Sequence, residues 1–217
     1  LIPHLGEASS TLTSSQNEAN QHTLSLFPEL SDIFKFLPNY QVVNEGLVRG
    51  GQPEGRGYEI LQEEGIRTII NIREESEALE HEGLTVRELG MTYLAHSVHP
   101  FRVPDDELLL NILTDIVDQA MQPVFVHCLH GQDRTGTVVG IYRMLIDNWS
   151  VQDTYTEMLA LGYHPAFTNL KEALDRFDIN RVALKAALDN RLSARMAQHR
   201  PQDPDQPKQT GQREEAI

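Results

Sequence analysis

Val124-Phe125-Val126-His127-Cys128-Leu129-His130-Gly131-Gln132-Asp133-Arg134-Thr135-Gly136 carries the strongest structural signal in this 217-residue chain. Three apolar residues, Val124 to Val126, suit a buried strand. Leu129 to Arg134 are mostly polar and contain a glycine, the composition of a loop. From Thr135 an apolar run continues through Val138, Val139, Ile141, Met144 and Leu145. It suits a buried helix, although Gly136 and Gly140 weaken that reading. Strand, tight loop and helix start together make an anion site. The amides of the loop and first helical turn converge on one point, and the helix dipole favours negative charge there.

Cys128, the only cysteine of the chain, opens this loop, and Arg134 closes it. An ordinary thiol is only about 3% thiolate near pH 7. Loop amides, a helix N-terminus and a guanidinium all favour the anion, and so would make Cys128 a standing nucleophile. Arg134 can hold two phosphoryl oxygens in a fork, which lysine cannot. The Thr135 hydroxyl can hydrogen-bond the thiolate and help it leave. The chemistry implied is attack of sulfur on phosphorus, a phosphocysteine, then hydrolysis. Neither a metal nor another cofactor is required, because amides and Arg134 can stabilise the transition-state charge. The competing reading is a buried core cysteine in a strand-to-helix turn, with Arg134 a surface charge.

His-Cys-x5-Arg-Thr-Gly resembles the signature of the protein-tyrosine-phosphatase superfamily. Arg49-Gly50-Gly51-Gln52-Pro53, followed by Gly65-Ile66-Arg67-Thr68-Ile69-Ile70-Asn71-Ile72-Arg73, resembles the N-terminal half of atypical dual-specificity phosphatases. The likeness is to the plant-and-fungal type and its bacterial relatives, and it covers roughly residues 40 to 165. It implies an α/β fold whose largely parallel, twisted central sheet is flanked by helices, with the phosphate loop between a central strand and a helix. Cys128 and Arg134 would then act on the phosphoryl group, with Leu129, His130, Gly131 and Gln132 around it and His127 ordering the loop. Arg73 would lie near the phosphate pocket; its alternative is a surface pair with Glu74 or Glu75.

The rest of the chain fits one sizeable domain over residues 32–200. Residues 1–31, rich in Ser, Thr, Gln and Asn, read as a flexible or surface-docked arm, and the Pro/Gln-rich 201–217 as a disordered tail. Leu24, Leu26, Phe27, Leu30, Ile33, Phe34 and Phe36 could tether the arm. Strands are expected over Tyr40–Val43, Leu47–Arg49, Ile66–Ile72 and Met91–Val98. Residues 74–90, acidic with two glycines, read as a loop. Helices are expected over 58–64, 105–121 and 150–161, then 170–177 and 182–196. The 105–121 helix carries an apolar stripe of Leu109, Ile112, Leu113, Ile116, Val117 and Ala120. Alternating strands and helices imply a largely parallel sheet, with ligands at the C-terminal strand ends.

A formal charge of −14 argues against general nucleic-acid binding. No run of 18 apolar residues exists, so no membrane span is expected. A monomer is expected. The chain opens on Leu1 rather than Met, as in a processed or trimmed product. The compartment stays open between a bacterial cytoplasm and export to the periplasm after loss of an N-terminal segment.

A general acid is harder to assign. The family usually supplies an aspartate from the loop ahead of the signature, here Ser97 to Glu107. His96 and His99 stand near its start, and the first carboxylates, Asp105 and Asp106, sit where helix capping explains them. Asp133 is the other candidate. Its place before the signature arginine resembles inositide phosphatases of the myotubularin and Sac types, but it could equally shape the loop. No tyrosine-selecting aromatic is evident. His130, Asp133 and Arg134, with Arg73 and Arg102 as rim cations, suit a small polyanion, and Lys35 and Arg49 are further rim candidates. The bacterial phytase-like members of the superfamily, which act on inositol polyphosphates, are the nearest analogy. A dual-specificity protein phosphatase, a phosphate-binding pseudophosphatase and a rhodanese-like sulfurtransferase are the alternatives.

Overall fold

The computed structural model describes residues 33–74 and 76–198. The expected arm, from Leu24 to Leu30 included, and the expected tail lie outside the described residues. Ile33 and Leu37 are buried at the edge of the domain, Phe36 packs beside them, and Phe34 is exposed.

Five strands form one sheet: β1 (Gln41–Asn44), β2 (Leu47–Gly50), β3 (Thr68–Asn71), β4 (Thr92–Ala95) and β5 (Val124–His127). Their order is β1-β2-β5-β3-β4. The β1–β2 hairpin is antiparallel and every other pairing is parallel. The signature strand β5 is therefore central, with Gly50 of β2 and Asn71 of β3 both in register with His127.

Helices cover both faces: α1 (Gly57–Glu63), α2 (Ser76–Glu88), α3 (Asp106–Val117), α4 (Asp133–Leu145), α5 (Val151–Ala160), α6 (Thr168–Ile179) and α7 (Arg181–Gln198). The pleat of β5 splits its side chains between two cores. Val124 and Val126 pack with residues of α3, α4, α6 and α7. Phe125 packs with Tyr58, Ile60 and Leu61 of α1 and Val86 of α2. All four β5 residues are buried, as a strand covered on both faces requires. Phe125 alone, fully buried, contributes roughly 1.5–3 kcal/mol of transfer free energy.

Four sequence expectations need correction. Residues 74–90 are mostly helix, not loop. Gly83 is no breaker here: a Cβ on it would lie 2.9 Å from Tyr93 Cδ1, so the glycine lets α2 pass close over β4. The helix expected to run to Met121 stops at Val117, because the Asp118 side chain turns back to accept from the Ala120 amide. Ala120 therefore leaves the buried stripe and is exposed. Strand β4 is only four residues long, and Val98 has already turned into the following loop. The signature helix begins at Asp133, two residues before Thr135. Among the described residues no helix is long and apolar enough to cross a membrane.

Candidate active site

The loop from Cys128 to Gln132 connects the C-terminal end of β5 to α4. Cys128 is 3% exposed. The loop is braced from beneath by three residues of the N-terminal half. Arg49 Nη2 donates to the Gly131 carbonyl at 2.6 Å, and Asn39 Nδ2 donates to the same oxygen at 2.9 Å. The Gln52 amide donates to the Leu129 carbonyl at 3.0 Å. With carbonyls turned down into these contacts, the loop follows a sharp path, and Gly131 takes φ 72°.

Gly131 is also pressed against the neighbouring strand end. A Cβ there would sit 2.4 Å from the Gly50 carbonyl carbon. Gly131→Ala is expected to lower stability by about 2 kcal/mol or more, from left-handed strain plus overpacking. A thermal melt checks this; an unchanged midpoint would show that the loop relaxes freely.

Arg49 is the functional-region residue that sequence reasoning misplaced. It was a rim candidate, but it is 1% exposed and lies under the loop, and its Nε and Nη1 have no hydrogen-bond partner among the described residues. Burial pushes its guanidinium down to about 10, partly offset by the negative charges of Glu157 and Cys128. Even so it is a cation near neutrality, held under the loop that Cys128 opens. Lys35, the other such candidate, lies over the Phe36 ring.

Arg134 is 9% exposed, and its Nη1 lies 3.5 Å from the Val98 carbonyl. Thr135 is fully buried, and its Oγ1 has no hydrogen-bond partner among the described residues. Leu129 and His130 are exposed, and the Gln132 side chain lies against Gly162. Arg73 donates through Nη1 to Gln52 Oε1 at 2.7 Å, so it stands beside the residue that tethers Leu129. Arg102 is exposed, and its carbonyl accepts from Asn169 of α6.

The structure occupies the candidate acids in other ways. Asp105 caps α3 by accepting from the Leu108 amide, and Asp106 pairs with Arg176 at 2.7 Å. His96 faces Asp115 at 2.8 Å, away from the loop. His99 is half-buried; its Nδ1 accepts from the Phe101 amide. Asp133 is engaged by His164, whose amide donates to Oδ1 at 2.8 Å and whose Nδ1 lies 3.1 and 3.2 Å from the two carboxylate oxygens. His164 was not singled out from sequence, nor was the aromatic string beside it. Phe101, 73% exposed, stacks on Phe167 at 5.7 Å, and Phe167 meets the edge of His164. No local pattern joins residues 101, 164 and 167; only the packing of α6 against the 98–104 loop does.

A thiol, a guanidinium and a helix N-terminus thus meet at the C-terminal end of the central strand, where such sheets bind ligands. The comparisons agree with that arrangement. Residues 36–191 match the tyrosine phosphatase family. The inositol diphosphatase DSP4 of Arabidopsis thaliana is 27% identical over 155 residues, 68% of this chain and 76% of that one. The dual specificity protein phosphatase TpbA of Pseudomonas aeruginosa is 26% identical over 117 residues, 54% of this chain and 51% of its own. The core catalytic domain of the PP-IP phosphatase SIW14 from Saccharomyces cerevisiae shares the fold, with a TM-score of 0.60 at 22% identity over 72% of this chain and 97% of that one. With the family match spanning most of its length, and the loop standing where the fold requires it, this chain belongs to the tyrosine phosphatase family and is a phosphatase of that kind.

Proposed function

We propose that the protein hydrolyses phosphate groups of inositol polyphosphates through a phosphocysteine on Cys128, and that diphosphate groups are its best substrates. Cys128 Sγ attacks phosphorus in line with the leaving oxygen. Arg134 and the amides of residues 129–134 hold the three equatorial oxygens, and Thr135 Oγ1 supplies a hydrogen bond to the sulfur when it leaves. Arg73, Arg102 and His130 at the rim receive the other phosphates.

The observation that carries this choice is the state of the three candidate aspartates. Asp105 is a cap, Asp106 is paired with Arg176, and Asp133 receives donors from His164. An alkyl alcohol leaves badly without a proton. A departing phosphate is already a stable anion and needs none. DSP4 and SIW14 carry the name inositol diphosphatase, which fits the same chemistry. The second reading, a dual-specificity protein phosphatase, is favoured by Phe101, an exposed aromatic stacked on Phe167, which meets the His164 ring that holds Asp133; such a ring suits a phosphotyrosine.

The test is phosphate release, in chelator, from a diphosphoinositol polyphosphate, inositol hexakisphosphate and a phosphotyrosine peptide. The expected order of kcat/KM is as written. Preference for the peptide would make the second reading correct. Binding of all three without release would indicate a phosphate-binding module. Asp133→Asn adds a separate check. If Asp133 braces the 162–166 loop, the variant should lose a similar factor, about 3–10-fold, on alkyl and activated aryl phosphates. A selective loss on the order of 10²-fold or more on the alkyl ester would make Asp133 the general acid.

A further inference from the structure

Glu82 is a buried ionisable residue that the chemistry above does not use. It lies on α2 and is 4% exposed. Tyr58 of α1 donates its hydroxyl to Oε1 at 2.9 Å. Asn71 of β3 donates through its amide nitrogen to Oε2, and Tyr93 of β4 donates to the same oxygen at 3.2 Å. His127 Nε2 lies 2.8 Å from Oε1 without an aligned hydrogen bond. A carboxylate has no proton to give, so it receives all three donors as the ion. Burial pushes the Glu82 carboxyl up, but His127, Tyr58 and Asn71 together hold it below the ordinary carboxylate range. Burial and the Glu82 charge hold the Tyr58 phenol far above its usual range, so Tyr58 keeps its proton.

The charge on Glu82 fixes which way two side-chain amides point. Tyr58 has one proton, and it is directed at Glu82. Its oxygen must then accept from Gln52, so Gln52 presents Nε2 to it. That leaves Gln52 Oε1 to accept from Arg73 Nη1 at 2.7 Å. Asn71 is set in the same way. Its Nδ2 points at Glu82, so its Oδ1 accepts from the Arg73 backbone amide at 2.7 Å. Two separate amides thus turn their donors toward one buried carboxylate and their carbonyls toward one arginine. With either amide reversed, an NH2 group would face an N–H of Arg73, donor against donor. We propose that Glu82 is an anchor through which Gln52 and Asn71 act as positioning residues, seating Arg73 as an intact cation that takes a further phosphate group of the substrate.

The seat lies beside the phosphate loop. Arg73 is half-buried and follows β3 at the C-terminal end of the sheet, where Asn71 is in register with His127. The Gln52 amide holds the Leu129 carbonyl, and a Cβ on Gly51 would sit 3.0 Å from that oxygen. The Gly51-Gln52 segment therefore touches the loop on one side and Arg73 on the other. Pro53 restricts Gln52 to extended backbone, which sets the direction of its side chain. A neutral acceptor suits this position. Gln52 Oε1 holds the guanidinium still without cancelling its charge, whereas a carboxylate there would cancel it. The proposal rests on the polyanion reading above.

The test reads the inhibition constant of inositol hexakisphosphate against hydrolysis of para-nitrophenyl phosphate, which carries a single phosphate. Tyr58→Phe removes one hydroxyl and leaves the backbone tether from Gln52 to Leu129 in place. It is expected to raise that constant by about 3–10-fold, the cost of one hydrogen bond. For the aryl phosphate, kcat/KM should stay within about twofold, because no further phosphate is bound. An equal loss in both would make Tyr58 a support of the loop and overturn the proposal, as would an unchanged constant. In an Arg73→Gln background, Tyr58→Phe should add nothing, because no cation remains to be seated. A further rise there would show that Tyr58 does not act through Arg73. Should the Tyr58 variant not fold, Gln52→Glu decides. It keeps the length of the side chain and cancels the charge of Arg73, so the constant should rise about 10-fold or more. An unchanged constant refutes the proposal. If inositol hexakisphosphate fails to inhibit wild type, the substrate reading falls and this one with it. Inhibition of wild type that both variants retain removes the positioning role alone.

Discussion

Cys128→Ser is expected to reduce phosphate release to background, a loss on the order of 10⁴-fold or more. The surroundings of Cys128 are built for an anion: Arg49 beneath it, Arg134 across the loop, and the start of α4 ahead of it. Those groups can ionise a thiol whose ordinary pKa is about 8.5. They cannot ionise a serine hydroxyl, which holds its proton far more tightly. The anion-binding amides remain, so the variant should still bind substrate. That gives a second readout. A ligand at about 100 times its Kd stabilises a protein by roughly 2.7 kcal/mol, which a melting experiment resolves. The variant should melt within about 1 kcal/mol of wild type without ligand, since the exchange is nearly isosteric. It should then rise on adding inositol polyphosphate. Turnover persisting in the variant would remove the covalent mechanism. Loss of binding together with turnover would mean that the substitution collapses the loop.

The parts of this architecture that were legible in the sequence are local ones. The strand from Val124, the loop from Cys128 and the helix after it each follow from adjacent residues and fixed spacing, and the structure places them together. The α3 stripe was legible because Leu109, Ile112, Leu113 and Ile116 recur at helical spacing. Helix α2 was not: its acidic composition and Gly83 resemble a loop, and among its described side chains the buried ones are Glu82 and Val86. Glu82 gave no signal, because its partners Tyr58, Asn71, Tyr93 and His127 come from four different elements. Arg49 is a similar case. Arginine is a surface residue by default, and only the register that sets β2 beside β5 turns it under the loop. The site was thus legible where chemistry is carried by neighbours in sequence. Its support, which comes from the N-terminal half, was not.

Arg134→Lys should lower kcat by about 10²–10³-fold, the cost of about 3–4 kcal/mol that follows loss of one preorganised donor to a transition-state oxygen. The net charge is unchanged, so the loss measures geometry rather than electrostatics alone. Arg134 is 9% exposed, and one of its amino groups is near the Val98 carbonyl. A planar fork fixed at that edge can present two parallel N–H groups to two phosphoryl oxygens. Lysine offers a single rotating ammonium on a flexible stem and keeps at most one of those contacts in register. If the fork grips the phosphoryl group more tightly as its oxygens spread into the trigonal transition state, kcat and kcat/KM should fall together while KM changes little. An increase confined to KM would make Arg134 a ground-state binding group. Single-turnover measurement of phosphocysteine formation separates the steps. A loss located in the first transfer means the fork serves attack by Cys128, and an equal loss in hydrolysis means that it holds the same three oxygens through both.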